Sequence, residues 1–147
     1  MNFDYRKNFL YFYGLLLRSY KDYSSRALSG FGLKPIEIEI LKFLINNGDQ
    51  FNKARDIERY KGVSKALVSQ GVKSLVDRGL LRTQVNREDR RVSDLFITEA
   101  AQDIVARLKE ANEDFRQMAF QDVSPEDLEA LARINQTVMQ NLLDFKD

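Results

Sequence analysis

The sequence predicts a mainly α-helical fold with one small β-hairpin, and three observations lead to this prediction. Apolar residues recur at three- and four-residue intervals through both ends of the chain, as they do on amphipathic helices. Between these ends, two strand-like segments flank a polar turn at residues 86–90. Charge is also uneven, because residues 53–91 hold eleven lysines and arginines against five acids, whereas residues 94–147 hold five against twelve. We therefore expect a basic helix-and-hairpin unit between long terminal helices.

Composition limits the possible classes of function. The 147 residues fit a single domain, 1–147, and they include no cysteine and no histidine. Disulfides, thiolate nucleophiles, Ser-His-Asp chemistry and histidine metal sites are therefore excluded. The spacing suggests no catalytic carboxylate pair, so we expect no enzyme, cofactor or metal site. No apolar run reaches the ~20 residues of a membrane span and the N-terminus lacks a signal-peptide pattern, which predicts a cytoplasmic protein without membrane contact.

The first predicted helix covers about residues 4–30. Its continuous apolar stripe is formed by Phe9, Phe12, Leu16, Tyr20, Tyr23 and Ala27. The stripe is widened by Leu10, Tyr13 and Leu17, which predicts packing on more than one neighbour. The helix is expected to end at Gly30 and Gly32. Aromatic stripes of this kind are typical of core packing, and no residue marks a ligand site on it.

Three shorter helices are predicted next. Pro35 suits the first position of a helix, with Glu37 and Glu39 near its positive end, and residues 46–48 close it. Residues 53–60 form a short helix with Ala54 and Ile57 facing inward. Ser64 caps a third helix that runs to about Arg78, before Gly79. Its predicted core residues are Val68, Val72, Leu75 and Val76, and its outer face carries Lys65, Ser69, Lys73 and Asp77, with Ala66 and Gln70 beside them.

A hairpin and two further helices complete the chain. Residues 80–85 and 91–97 are predicted to be strands, and Thr98 is expected to cap the helix that follows them. In the helix before the hairpin, Gly71 is expected to permit close packing against the helix that precedes it in the chain. The helix at 99–119 carries Ile104, Leu108, Ala111, Phe115 and Met118 on one stripe. Ser124 and Pro125 begin the last helix, whose stripe is Leu128, Leu131, Ile134, Val138, Leu142 and Phe145. The striped ends must pack with each other or with a second copy, and a monomeric bundle is the alternative.

The capped helix and the hairpin together predict a winged DNA-binding unit at about residues 33–98. An α-helix fits the major groove, where Gln70 can bond an adenine edge and lysines can reach guanine or phosphate. The basic hairpin tip can enter the adjacent minor groove. Candidate contacts before the hairpin are Lys53, Arg55, Ser64, Lys65, Ser69, Gln70 and Lys73. An interaction module whose basic face binds an acidic protein is the alternative.

The segment Asp89–Thr98, DRRVSDLFIT, matches the D-x-R-x-x-x-L-x-[LI]-T wing signature of the MarR (multiple antibiotic resistance regulator) family. Upstream, Val63-Ser64-Lys65, Val68-Ser69 and the segment from Leu75 to Leu80 resemble its recognition helix and the approach to its wing. The resemblance extends over essentially the whole chain, because residues 33–44 and 124–128 are also similar to family helices. Three positions depart from the family pattern, Leu67, Gln70 and Gly71, and they bear on sequence preference.

The resemblance implies a homodimeric winged helix-turn-helix transcription factor, usually a repressor, that binds a pseudo-palindromic operator in double-stranded DNA. Its dimerisation helices would be residues 4–30 and 99–147, and a small phenolic or anionic effector would relieve repression. In the wing, Arg91 matches the arginine that reaches the minor groove and Asp89 matches the acid that orients it. Arg87 and Arg90 lie nearer the tip as additional contacts.

Overall fold

The computed structural model describes residues 4–145, without the side chains of Tyr5 and Arg6, so the last two residues of the predicted terminal segment lie outside it. The described helices and strands follow in the order α1 (Tyr5–Ala27), α2 (Pro35–Asn47), α3 (Ala54–Lys61), α4 (Lys65–Asp77), β1 (Leu81–Val85), β2 (Ser93–Ile97), α5 (Gln102–Ala119) and α6 (Pro125–Asp144). The two strands pair antiparallel, from Leu81 opposite Ile97 to Val85 opposite Ser93. The predicted mainly α-helical fold with a hairpin is confirmed.

The chain forms two compact units, one up to Phe115 and one from Arg116 onward. The core of the first unit gathers apolar side chains of α2, α3, α4, the hairpin and α5, among them Ile40, Leu41, Ile57, Val68, Leu75, Leu95 and Leu108. Burial of this set supplies the hydrophobic driving force that fixes the short helices against each other. The three predicted helices before the hairpin are therefore held by a common core.

The first helix ends earlier than predicted. It stops at Ala27, and residues Ser29–Phe31 form a tight 3₁₀ turn in which Phe31 N–H donates to the Leu28 carbonyl at 3.1 Å. The Leu28 side chain is buried in the core, so the chain turns toward the core before Gly30 and Gly32. Of the two glycines expected to end the helix, only Gly32 has the left-handed φ, at 62°.

Four other expectations at helix ends and faces were not met. Val76 is 36% exposed, because it lies seven residues after Ser69 and so on the same side of α4. The Thr98 hydroxyl does not cap a helix but donates to the Gly79 carbonyl at 2.6 Å. Gly71 packs on α2, not on the preceding helix, and Met118 at the end of its stripe is exposed.

The second unit contains the end of α5 and the whole of α6. The predicted helix start is confirmed, since the Ser124 hydroxyl accepts from Asp127 N–H at 3.1 Å and Pro125 takes the first position. No residue of α6 is buried, and Ile134 and Leu142 are 56% and 60% exposed. None of the helices within residues 4–145 combines the length and the apolarity required to cross a bilayer.

Candidate nucleic-acid interface

Helix α4 presents a polar outer face on a capped helix. The Ser64 hydroxyl accepts from Leu67 N–H at 3.3 Å, so the predicted N-cap is confirmed. The predicted contact residues Lys65, Ser69, Gln70 and Lys73 are all exposed along this helix. The Lys73 ammonium lies 2.6 Å from the Asp77 carboxylate, one turn further on. This face therefore offers donors and acceptors at the spacing of a helix that fits the major groove.

Close packing on α2 fixes the opposite face of α4. Val68 and Leu75 are completely buried, and a side chain at Gly71 would meet Ile40 Cδ1 at 2.5 Å and Ile36 Cγ1 at 2.9 Å. The absence of a Cβ at Gly71 lets the two helices approach closely, although glycine costs a helix interior about 1 kcal/mol relative to alanine. The position of the outer face is thus set by a tight helix pair.

A buried carboxylate joins α2 to the end of α4. Glu37 is 0% exposed and accepts from the Ser74 hydroxyl at 2.5 Å, the Arg78 guanidinium at 3.0 Å and Lys34 N–H at 2.7 Å. Arg78 also donates to the carbonyls of Phe31 and Gly32. These contacts tie the start of α2, the turn before it and the end of α4 together.

Burial alone raises the pKa of the Glu37 carboxyl, but hydrogen bonds from Ser74 and Lys34 and the charge of Arg78 outweigh it and hold the pKa below its ordinary value. Glu37 is therefore a charged, fully partnered group in the core. The sequence interpretation placed Glu37 only at the helix dipole and missed this role. Glu37 precedes Ile40, Leu41 and Leu44 by three, four and seven residues, and this helical spacing indicates that it lies on the buried face of α2.

The wing tip is a hydrogen-bonded turn organised by Asn86. Its side-chain oxygen accepts from the backbone N–H groups of Glu88 and Asp89 at 2.9 and 3.0 Å. The Asp89 carboxylate accepts from Arg91 N–H at 3.0 Å. Within residues 4–145 the structure gives Asp89 no ion pair with the Arg91 guanidinium, so its contact is with the backbone, in contrast to the expected side-chain pairing. The arginines of the tip, Arg87, Arg90 and Arg91, are exposed.

The base of the wing is joined to the start of α3. Leu95 N–H donates to the Asn52 carbonyl at 2.7 Å, and Lys53 and Asp94 form an antiparallel bridge next to the hairpin. The Lys53 ammonium lies 3.4 Å from the Asp94 carboxylate, whereas Arg55 is exposed. Of the two predicted phosphate contacts near α3, Lys53 is thus engaged within the chain.

A second group of charges, buried or half-buried, lies where α1 meets α2. Lys42 is 3% exposed, with its ammonium 4.0 Å from the centre of the Tyr20 ring and 3.1 Å from Glu39, which also binds Lys61 at 2.6 Å. Burial lowers the pKa of Lys42, and the Glu39 carboxylate only partly opposes this. Tyr20 donates to Asn112 at 2.6 Å. These contacts join α1 to α2 and α5 to α1, and the sequence interpretation missed them.

Comparison with known proteins gives one family model that matches part of the chain. Residues 31–92 match the sequence model described as "MarR family". A comparison with curated protein sequences gives no match. Solved structures show the same fold: a MarR transcriptional regulator from Methanosarcina mazei Go1 is 17% identical with a TM-score of 0.72, and the alignment covers 90% of this chain and 94% of that one.

Two other solved structures extend this likeness. The transcriptional regulator SlyA is 16% identical with a TM-score of 0.75, and 93% of this chain aligns with 95% of that chain. A MarR family transcriptional regulator from Listeria monocytogenes, described as putative and solved in complex with a 26mer DNA, is 18% identical with a TM-score of 0.77; 92% and 89% of the two chains align. The fold of this chain is therefore that of MarR-family transcriptional regulators.

Proposed function

We propose that this chain, whose residues 31–92 match the MarR family model, is a sequence-specific double-stranded DNA-binding transcriptional regulator. The observation that carries the proposal is one unit in which a capped helix with a polar outer face precedes a wing with three exposed arginines. The complex of a Listeria relative with DNA supports the same assignment. A protein that acts on an operator works where the chromosome is, so a cytoplasmic location is part of this proposal.

Each element of the unit has a distinct role in this proposal. Helix α4 enters the major groove, where Lys65, Ser69, Gln70 and Lys73 contact base edges and phosphates. The wing reaches the adjacent minor groove through Arg91, with Arg87 and Arg90 on the flanking backbone. Phosphates are bound by Arg55 and by the first backbone N–H groups of α4 beside Ser64, which set the register. Lys53 adds its positive charge to this phosphate site while its ammonium stays beside Asp94. Asp89 acts indirectly, by fixing the backbone of Arg91.

The proposed active species is a homodimer that represses transcription and is released by a small phenolic or anionic effector. Exposed apolar side chains on α1 and on α6 support dimerisation, because water-exposed apolar faces of this extent mark association surfaces. A two-fold dimer places two copies of α4 in successive major grooves, so half-sites about one helical turn (~10 base pairs) apart are expected. Release of the operator duplex by individual phenolic acids tests the effector.

Selection of duplexes from a random pool, followed by footprinting, tests the assignment of function. We expect a two-fold symmetric winner, and Arg91→Ala should weaken its binding by about 1–3 kcal/mol because a minor-groove contact is lost. Arg107→Ala is the matched control, since Arg107 pairs with Glu110 on α5 and its loss removes the same charge. Equal losses of affinity in both variants would show that the effect of Arg91→Ala depends only on the net charge of the protein. Failure to enrich any duplex would favour the alternative, a module that binds an acidic protein.

A further inference from the structure

An acidic side chain lies at the base of the basic wing. Asp94 is only partly exposed, and it follows the tip arginines on the strand that returns from them. A carboxylate near DNA opposes binding by its charge, because affinity depends on cations that neutralise phosphates. A role in contacting DNA therefore does not account for Asp94. Its contacts within the chain suggest a different role.

We propose that Asp94 is a positioning residue of the wing, which fixes the backbone of Arg91 relative to the start of α3. This inference rests on the DNA-binding function proposed above. Both carboxylate oxygens of Asp94 accept from the Asn86 amide at 3.0 Å, and one of them lies 3.4 Å from the Lys53 ammonium. Asp94 thus connects the turn that carries the arginines with the residue that precedes α3.

The connection continues from Asn86 to the arginines. The opposite end of the Asn86 side chain accepts from the N–H groups of Glu88 and Asp89, and Asp89 in turn accepts from Arg91 N–H. Rotation of the Asn86 amide would break contacts at both of its ends. The backbone of Arg91 is therefore oriented through Asn86 by Asp94, which is itself held by Lys53.

Preorganisation explains why this connection matters for binding. A two-stranded hairpin is at best marginally stable by itself, and its tip here is exposed and carries three arginines. Ordering a mobile tip on DNA would reduce affinity, because the lost conformational freedom opposes association. Lys53 also contributes to the order of the wing tip, since its ammonium holds Asp94 in place within the chain. Loss of the Asp94 charge thus has two opposite effects on affinity, one through charge and one through order.

The sign of the change in affinity distinguishes the two effects. For the full chain and its selected duplex, Asp94→Asn should weaken binding by about tenfold, since the isosteric amide keeps only one acceptor oxygen for the Asn86 amide and loses the charge that holds the Lys53 ammonium. Asp77→Asn is the matched control, because Asp77 is an exposed acid on α4 and its loss should strengthen binding. Asn86→Ala breaks the same connection without changing charge, so it should weaken binding as Asp94→Asn does.

A double-mutant cycle with Arg91→Ala separates positioning from general destabilisation. In that background, Asp94→Asn should change affinity by less than about twofold, whereas in a Lys73→Ala background the tenfold loss should persist. The inference would be overturned if Asp94→Asn bound more tightly than the original chain. It would also be overturned if Asp94→Asn caused the same loss of affinity in the Arg91→Ala and Lys73→Ala backgrounds. If the unmodified chain shows no preference for the selected duplex, the proposed function itself fails, which is a different outcome from a missing Asp94 effect.

Discussion

The winged unit at residues 33–98 and the terminal helices α1 and α6 differ in how much of their own surface the chain covers. The winged unit buries Ile40, Ile57, Val68 and Leu75 completely, and no buried side-chain polar atom among the described residues lacks a hydrogen-bond partner. By contrast, Leu10 on α1 is 73% exposed, and α6 has no buried residue. The part proposed to read DNA is therefore held within one chain, whereas the terminal helices present faces that a second chain is proposed to cover.

The largest effect is expected from removing the buried carboxylate of the winged unit. Glu37→Ala should lower the free energy of unfolding by about 3 kcal/mol, because it removes the charged acceptor shared by Ser74 and Arg78. Chemical denaturation measures the loss. The matched control is Glu110→Ala, whose exposed ion pair with Arg107 should contribute less than about 1 kcal/mol. Similar losses in both variants would contradict the assigned role of Glu37.

The next effect concerns the terminal helices. Leu142→Asp should raise the dissociation constant of the proposed dimer by about 100-fold, because a charge replaces an apolar side chain at the proposed interface. Sedimentation equilibrium measures the change. Asn141→Asp introduces the same charge at the neighbouring exposed position and should change this dissociation constant by less than about threefold. A Leu142→Asp protein that dimerises as the original does would place the interface elsewhere.

A smaller effect is expected within α4. Gly71→Ala should destabilise the protein by about 1–2 kcal/mol, because the new methyl group displaces Ile40 and Ile36. The free-energy cost of this displacement is expected to exceed the gain from the higher helix propensity of alanine. Ser69→Ala on the exposed face of the same helix should instead add a few tenths of a kcal/mol. Thermal unfolding of the two variants would show opposite signs. An increase in stability for Gly71→Ala would mean that α2 and α4 are not in close contact.

The smallest difference is expected in the pH dependence of stability. The pKa of Glu37 is lowered in the folded chain relative to its ordinary value of 4.5, so its contribution is complete above pH 4.5 and is lost as the pH falls through the folded value. Denaturation between pH 7 and pH 3 should therefore show a steeper acid loss for the original chain than for Glu37→Gln. Parallel curves would show that the folded chain does not hold this carboxylate in its charged form.

Sequence patterns predicted those parts of the molecule that depend on local chemistry. The helices follow from apolar periodicity, the starts of α4 and α6 from Ser64 and Ser124, and the hairpin from the polar turn between two strands. The exposed positions along α4 also follow from periodicity. The DNA contacts assigned to these positions stay a prediction until binding is measured.

The missed features depend on contacts between residues that are distant in the chain. Glu37 meets Ser74 and Arg78 only after α2 and α4 have packed, and no local pattern specifies those partners. Lys42 is buried with its ammonium over the Tyr20 ring of α1, and no local pattern specifies that contact. The expected Asp89–Arg91 side-chain pairing was not found, because spacing brings two residues close without deciding whether the backbone or the side chain is bound.

The central claim is that α4 and the wing together bind a specific duplex, and a salt titration of binding tests it most directly. Affinity for the selected duplex and for a scrambled one should both fall steeply with salt, because several phosphates are neutralised in each subunit. At moderate salt the selected duplex should still bind at least about 1,000-fold more tightly, since base contacts do not depend on counterion release. A preference that stays within about tenfold there would contradict sequence-specific recognition by this surface.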